Sequence, residues 1–196
     1  MDTALVSLVA GSGWASGLRV YLVAFGLGLS GRLGWVEGVP EVLTGLPILV
    51  VLGLLLAAEE LIDKVPVLDS TWDTVHTVVR PVGAAALGWL LTGELDAVLQ
   101  ATSSGTAGGL ALLSHASKAT LRGAINASPE PASNALASLT EDGLVLAVLW
   151  LAVAHPIVAL AVVALLLAAG GAAAAVVVRR LRRRRGHRRD AVRERR

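Results

Sequence analysis

Residues 143–178 read GLVLAVLWLAVAHPIVALAVVALLLAAGGAAAAVVV, thirty-six positions broken only by His155 and Pro156. As one helix this run would extend ~54 Å at 1.5 Å per residue, against a hydrocarbon core of ~30 Å. A cut at His155-Pro156 predicts two helices, roughly 136–154 and 157–178, with one long kinked helix as the alternative. Directly after the run, residues 179–196 hold 11 Arg against Asp190 and Glu194, a local net of +9. The remaining residues, 1–178, hold 6 Lys/Arg against 13 Asp/Glu, a net of −7. A body this apolar excludes intrinsic disorder, and a chain without cysteine excludes a disulfide scaffold and thiolate chemistry. The one basic cluster adjoins the long apolar run, which argues against a nucleic-acid binder. The class expected is an all-α, polytopic transmembrane helix bundle.

Further spans follow upstream. Val42–Leu61 ends on Glu59 and Glu60, 72–92 leaves at Thr92-Gly93-Glu94, and 98–122 is diluted by Ser, Thr and Gly. The first span, 4–30, contains GSGWASG at 11–17 and then Arg19, which reads as a break between two half-helices. This gives about six spans, the first and fourth broken, over a membrane domain 1–178. The Arg-rich tail, 179–196, is expected to be cytoplasmic and disordered. An even span count puts both termini in the cytoplasm of an inner (plasma) membrane, with Lys64, Lys118 and Arg122 also inside. MDTALVSLVA has no positive n-region, so a cleaved signal peptide is not expected. Two inverted three-helix repeats, 1–92 and 97–178, would match Leu18-Arg19 to Leu121-Arg122.

Ionisable residues at membrane depth cost several kcal/mol and mark interiors or pathways. Arg19 is either such a residue or a side chain snorkelling to an interface. In residues 60–81, Asp69, Asp73, His76 and Arg80 form one polar stripe at spacings of four, three and four. Asp63 stands just ahead of it, four residues after Glu59, and Glu60 and Lys64 are likewise i,i+4. Asp69 could instead cap that helix. Arg80, with Pro81 and an apolar run behind it, needs a carboxylate from another helix. His115, Lys118, Arg122 and Asn126 share a second face. Glu141 and Asp142 lie inside the membrane if the fifth span begins near Pro131; otherwise Ser138-x-x-Glu141 is a capping box. Gly13-x-x-x-Gly17 and Gly105-x-x-x-Gly109 both permit close helix contact. Arg19, Arg80 and Arg122 are expected to pair with Asp63, Asp69, Asp73, Glu141 and Asp142 around a shared polar cavity.

The stretches GSGWASGLRVY (11–21), DKVPVLDSTWDTVHTVVRP (63–81), HASKATLRGAINASPEP (115–131) and EDGLVLAVLWLAVAHP (141–156) resemble a family of small bacterial integral membrane proteins described as a domain of unknown function. The resemblance covers roughly 10–167. It implies a polytopic membrane protein and supplies no activity or catalytic residue.

Three functions compete. A small transporter or channel would use Arg19 and Arg122 for an anionic substrate, with Asp73 and His76 titrating in a proton-coupled cycle. A non-catalytic membrane partner would use its polar residues for packing alone. An enzyme acting on a lipid-linked substrate ranks lowest, because nothing specifies a nucleophile. No cofactor or metal is expected. The expected partners are the bilayer, anionic lipid at the tail and a homo-oligomer.

Overall fold

The computed structural model describes residues 2–62, 66–125 and 131–193, and all side chains among them except 66, 67, 69, 70, 124, 125, 131–135 and 181–193. The described residues form seven helices: α1 Thr3–Arg32, α2 Glu41–Thr44, α3 Leu46–Ile62, α4 Pro66–Leu91, α5 Ala97–Ile125, α6 Pro131–Ala154 and α7 Pro156–Arg193. Their ends follow local chemistry. The Asp2 carboxylate accepts from Leu5 N–H at 2.7 Å and caps α1, and Asp96 does the same for α5 through Val98 and Leu99. Gly34, at φ +72°, stops α1: Trp35 N–H reaches Ser30 C=O at 2.9 Å and Gly34 N–H reaches Gly31 C=O at 3.1 Å. Pro156 opens α7 at the position where a missing N–H costs nothing, so 143–178 is two helices.

Three helical stretches are long and apolar enough to cross a membrane: α1, Leu136–Ala154 of α6 and Pro156–Arg180 of α7. They differ in burial. The α1 window is 78% buried and the α7 window 6%. The outward residues include Val50, Leu54, Val78, Val82, Leu146, Trp150 and Leu165, while Arg19, Glu59, Arg80, Lys118 and Arg122 are buried beside an apolar core. That is the reverse of a water-soluble domain and suits a hydrocarbon surrounding.

The central helix is folded back on itself. Arg19 carries φ −147°, ψ 80° inside α1, a single non-helical residue between two limbs. Gly11, on the first limb, packs on Ala152 and Val148 of α6, and Gly26, on the second, packs on Leu149. In a straight helix those glycines would stand about 22 Å apart, whereas their α6 contacts span about one turn. A cavity lined by Asp2, Ala4, Leu5 and Leu8 is also lined by Trp35, Val36, Glu37 and Gly38, so both ends of α1 lie at the same end of the bundle. The first limb runs alongside α5, Gly13 on Ala107 and Gly17 on Ala111 and Ser114. The second runs antiparallel to α3, Gly28 on Leu49 and Phe25 on Gly53, with Arg19 reaching Glu59 and Glu60. α1 thus forms a hairpin with Arg19 at its tip, and it touches all six other helices.

Several expectations change accordingly. The break lies at Arg19 and not in 11–17, where the glycines stay helical and serve close contact. A Cβ on Gly13 would fall 2.7 Å from Ala107 Cα, and one on Gly17 would fall 2.2 Å from Ala111 O. The fourth span is unbroken as α5, because its Ser and Thr hydroxyls bond carbonyls and leave the helix ladder intact, as Thr102 does to Val98. α1 returns to its starting end, and the five helices α3 to α7 each run once along the bundle. The two described chain ends, Asp2 and Arg193, therefore lie at opposite ends of the bundle. The first limb of α1 runs the same way as α5, whereas the second limb, α3 and α4 run opposite to α5, α6 and α7 in turn. α6 begins at Pro131, so Ser138 and Glu141 are mid-helix and form no capping box; α4 begins at Pro66, so Asp69 is no N-cap. α7 remains helical through Arg193, where a disordered tail was expected, since Arg and Ala are good helix formers and continue a helix already nucleated.

The two GxxxG pairs should separate by experiment. Gly17→Ala drives a methyl into α5 backbone and should lower the thermal midpoint of the purified protein in detergent. Gly109→Ala meets nothing within 4 Å and should match or exceed the wild type. Equal losses would contradict the hairpin packing.

Candidate functional site: a buried ring of ion pairs

The hairpin tip delivers Arg19 among α3, α4, α5 and α6, each of which contributes charge. Arg19 Nε lies 2.8 Å from Asp142 Oδ1, and Nη1 lies 2.9 Å from Glu60 Oε1 and 4.0 Å from Glu59 Oε2; Nη2 also donates to Ser138 Oγ. Glu59 Oε1 accepts from Arg80 Nη2 at 2.9 Å, and Arg80 Nη1 donates to Asp73 Oδ1 at 3.0 Å. Asp73 stands 3.9 Å from Lys118 Nζ, which lies 2.9 Å from Glu141 Oε2. Arg122 Nε and Nη2 donate to the two Glu141 oxygens at 3.3 Å.

These contacts alternate in sign. The sequence Asp142–Arg19–Glu59–Arg80–Asp73–Lys118–Glu141 begins and ends on adjacent residues of α6, so it closes through five helices, with Arg122 and Glu60 attached. Arg19, Glu59 and Arg80 are fully buried, and Lys118 and Arg122 nearly so. Burying one such charge alone would cost several kcal/mol, and alternation lets each meet an opposite partner. Lys118 also donates to Leu18 C=O at 3.1 Å, next to Arg19. The backbone is irregular at Arg19, so the tip is held by side chains and not by a continuous helix ladder.

Two histidines are fixed beside the ring, and His115 is bonded to it directly. Trp72 C=O can only accept, so His76 Nδ1 carries a proton and donates to it at 2.8 Å; Nε2 and Tyr21 OH are hydrogen-bonded at 3.2 Å. The ring lies edge to Tyr21 and tilted over Trp72. A guanidinium can only donate, so His115 Nδ1 accepts from Arg80 at 2.8 Å. Its Nε2–H then donates to Thr77 Oγ1 at 3.1 Å, and Thr77 donates to Asp73 C=O. His115 is therefore the neutral Nε2–H tautomer, and protonation would break its bond to Arg80.

Nine expected residues are brought together here: Arg19, Asp73, His76, Arg80, His115, Lys118, Arg122, Glu141 and Asp142. Asp63 and Asn126 lie outside the described residues, and the side chain of Asp69 does as well. Glu59 and Glu60 were read as local helix pairs with Asp63 and Lys64, yet they hold Arg19 and Arg80. The signal for them was present: three arginines at membrane depth need nearby carboxylates, and these two close an apolar run. The shared polar cavity takes a different form. The charges pack on one another, and beside them lies a cavity of about 330 Å³ between α1, α5, α6 and α7. Its walls are apolar, including Trp14, Leu18, Leu144 and Leu166, with Lys118, Arg122 and Glu141 on one side. Arg19 does not line this cavity.

Removing Arg80 alone leaves Glu59 and Asp73 only their longer contacts, at 4.0 Å to Arg19 and 3.9 Å to Lys118, with an expected loss of up to about 3–5 kcal/mol. Arg80→Leu should therefore lower the denaturation midpoint sharply, and adding Glu59→Gln should recover part of the loss. A double variant worse than the sum of both singles would contradict the ring.

No curated protein and no solved structure matches this chain. The sequence does match a family over residues 6–178, nearly the whole hairpin and bundle and the body of the charged ring. The chain belongs to the family described as domain of unknown function DUF4126.

Proposed function

We propose that this protein is a small membrane transporter of anionic solutes, made of five membrane crossings around a re-entrant hairpin. The observation that carries the reading is the α1 tip at Arg19, a break in helical backbone held inside the bundle by ion pairs. Irregular backbone at membrane depth is tolerated where it is buried in protein or lines a pathway, and broken helices are a recurring transporter device. The depth agrees. Ser117, next to Lys118, packs on Gly170 of α7. Gly170 stands about 21 Å along α7 from Pro156 and about 12 Å before Val178, where the Arg run begins. The ring then lies in the half of the bilayer nearer the basic tail.

Positive-inside asymmetry puts the tail in the cytoplasm and, with five crossings, the N-terminus outside. The tail would also meet anionic lipid, at about 1 kcal/mol per Arg near the surface. Fusions to a reporter that is active on one side only should give opposite results at the N-terminus and after Arg196. Equal results would overturn the five-crossing topology.

Reconstitution into vesicles tests transport itself. The pure, monodisperse protein should take up at least one anion from a panel of labelled organic anions faster than protein-free vesicles. Arg122→Gln should reduce that flux. Flux equal to that of empty vesicles across the panel would overturn the reading and favour a packing role, in which the ring only fixes the hairpin.

A further inference from the structure

The cavity of about 330 Å³ has a composition that the ring by itself does not explain. It is at the small end of ligand sites and mostly apolar, with charge on one side only. The charged lining residues are Lys118, Arg122 and Glu141, which sum to +1. Its rim includes exposed Leu121, Thr140 and Ala169, on α5, α6 and α7, so it opens on the side of the bundle where α7 is almost wholly uncovered. In a bilayer that opening faces acyl chains and not water.

We infer that this cavity takes the hydrocarbon chain of a single-chain, singly charged anionic amphiphile of the fatty-carboxylate type, with its head at Lys118 and Arg122. The inference rests on the transporter reading and names its substrate class. Charge selects the sign, since a net +1 wall favours a monoanion and repels a cation. Volume selects one chain over the two chains of a phospholipid. Geometry selects the head, because Lys118 and Arg122, one turn apart on α5, already hold one carboxylate, Glu141, at 2.9 and 3.3 Å. Lys118 is held in place by Leu18 C=O, directly before the hairpin tip, so an anion drawing on Lys118 is coupled to the position of Arg19.

Trp14 lines the cavity and serves as the reporter. The full chain in discs of zwitterionic lipid would be titrated with a brominated twelve-carbon carboxylate, its methyl ester and the trimethylammonium compound of equal length. The carboxylate should quench tryptophan emission saturably, and the other two should bind about tenfold more weakly or worse, the ratio expected for one charge-assisted hydrogen bond. The saturable part should vanish in Trp14→Phe. Arg122→Gln should weaken the carboxylate by about tenfold, and Arg122→Lys should restore most of the loss. Thr140→Phe, which touches no ion pair, should block the site in a protein with an unchanged denaturation midpoint.

Tighter binding of the ammonium compound would overturn the inference, as would absent saturation, or saturation indifferent to both Thr140→Phe and Arg122→Gln. The two readings fail separately. Binding without flux removes transport and leaves the site, whereas flux without this binding removes the site alone.

Discussion

The desolvation of Arg19 and Arg80 organises this molecule. Both guanidiniums are fully buried, in a bundle whose outer faces are Val, Leu and Trp. Neither can be left without a counter-charge there, and no carboxylate on its own helix satisfies Arg19. Glu59, Glu60 and Asp142 must therefore come from α3 and α6, which fixes where those helices stand. Arg80 has Asp73 on its own helix, two turns away, and takes Glu59 as well. One carboxylate shared by two cations ties the hairpin tip to α4 through α3.

The ring and the glycines solve one problem at two levels. Two limbs of a hairpin fit at the centre of a bundle only if neighbours approach closely, and Gly13 and Gly17 let α5 lie against bare backbone. Once α5 is that close, Lys118 reaches Leu18 C=O and Arg122 reaches Glu141. Small residues above and the Lys118–Leu18 hydrogen bond below hold the first limb to α5, and the ion pairs with Glu141 tie α5 on to α6. Hydrophobic burial contributes less than in water, because hydrocarbon outside is as apolar as the core inside.

The two histidines bear on function. His115 accepts from Arg80 and donates to Thr77, and His76 is held between Trp72 C=O and Tyr21 OH. His115 is bonded to the ring of charges through Arg80, whereas His76 is bonded to the backbone of its own helix and to the hairpin. Tyr21 OH can donate to or accept from Nε2, so a proton-coupled role for His76 would reverse that bond without breaking it, at the tip and away from the cavity. The cavity borders the ring at Lys118, Arg122 and Glu141, so ligand and hairpin meet at those three side chains.

The class and the element ends of this protein were legible in its sequence. Apolar runs of set length, Pro156 at a helix start and Gly34 past a helix end are local signals, and local signals determine helices. The demand for paired charges was legible too, since Arg19, Arg80 and Arg122 sit in apolar surroundings wherever the chain goes. The identity of the partners was not. A period of 3.6 gives the face of a residue but not which helix lies opposite, so Glu59 and Glu60 read as neighbours of Asp63 and Lys64. The reversal of α1 was decided by tertiary structure alone. Arg19 is neither glycine nor proline, and its helix-breaking backbone has no local cause. It is stabilised by Asp142, Glu60 and Glu59, residues 123, 41 and 40 positions away in the chain.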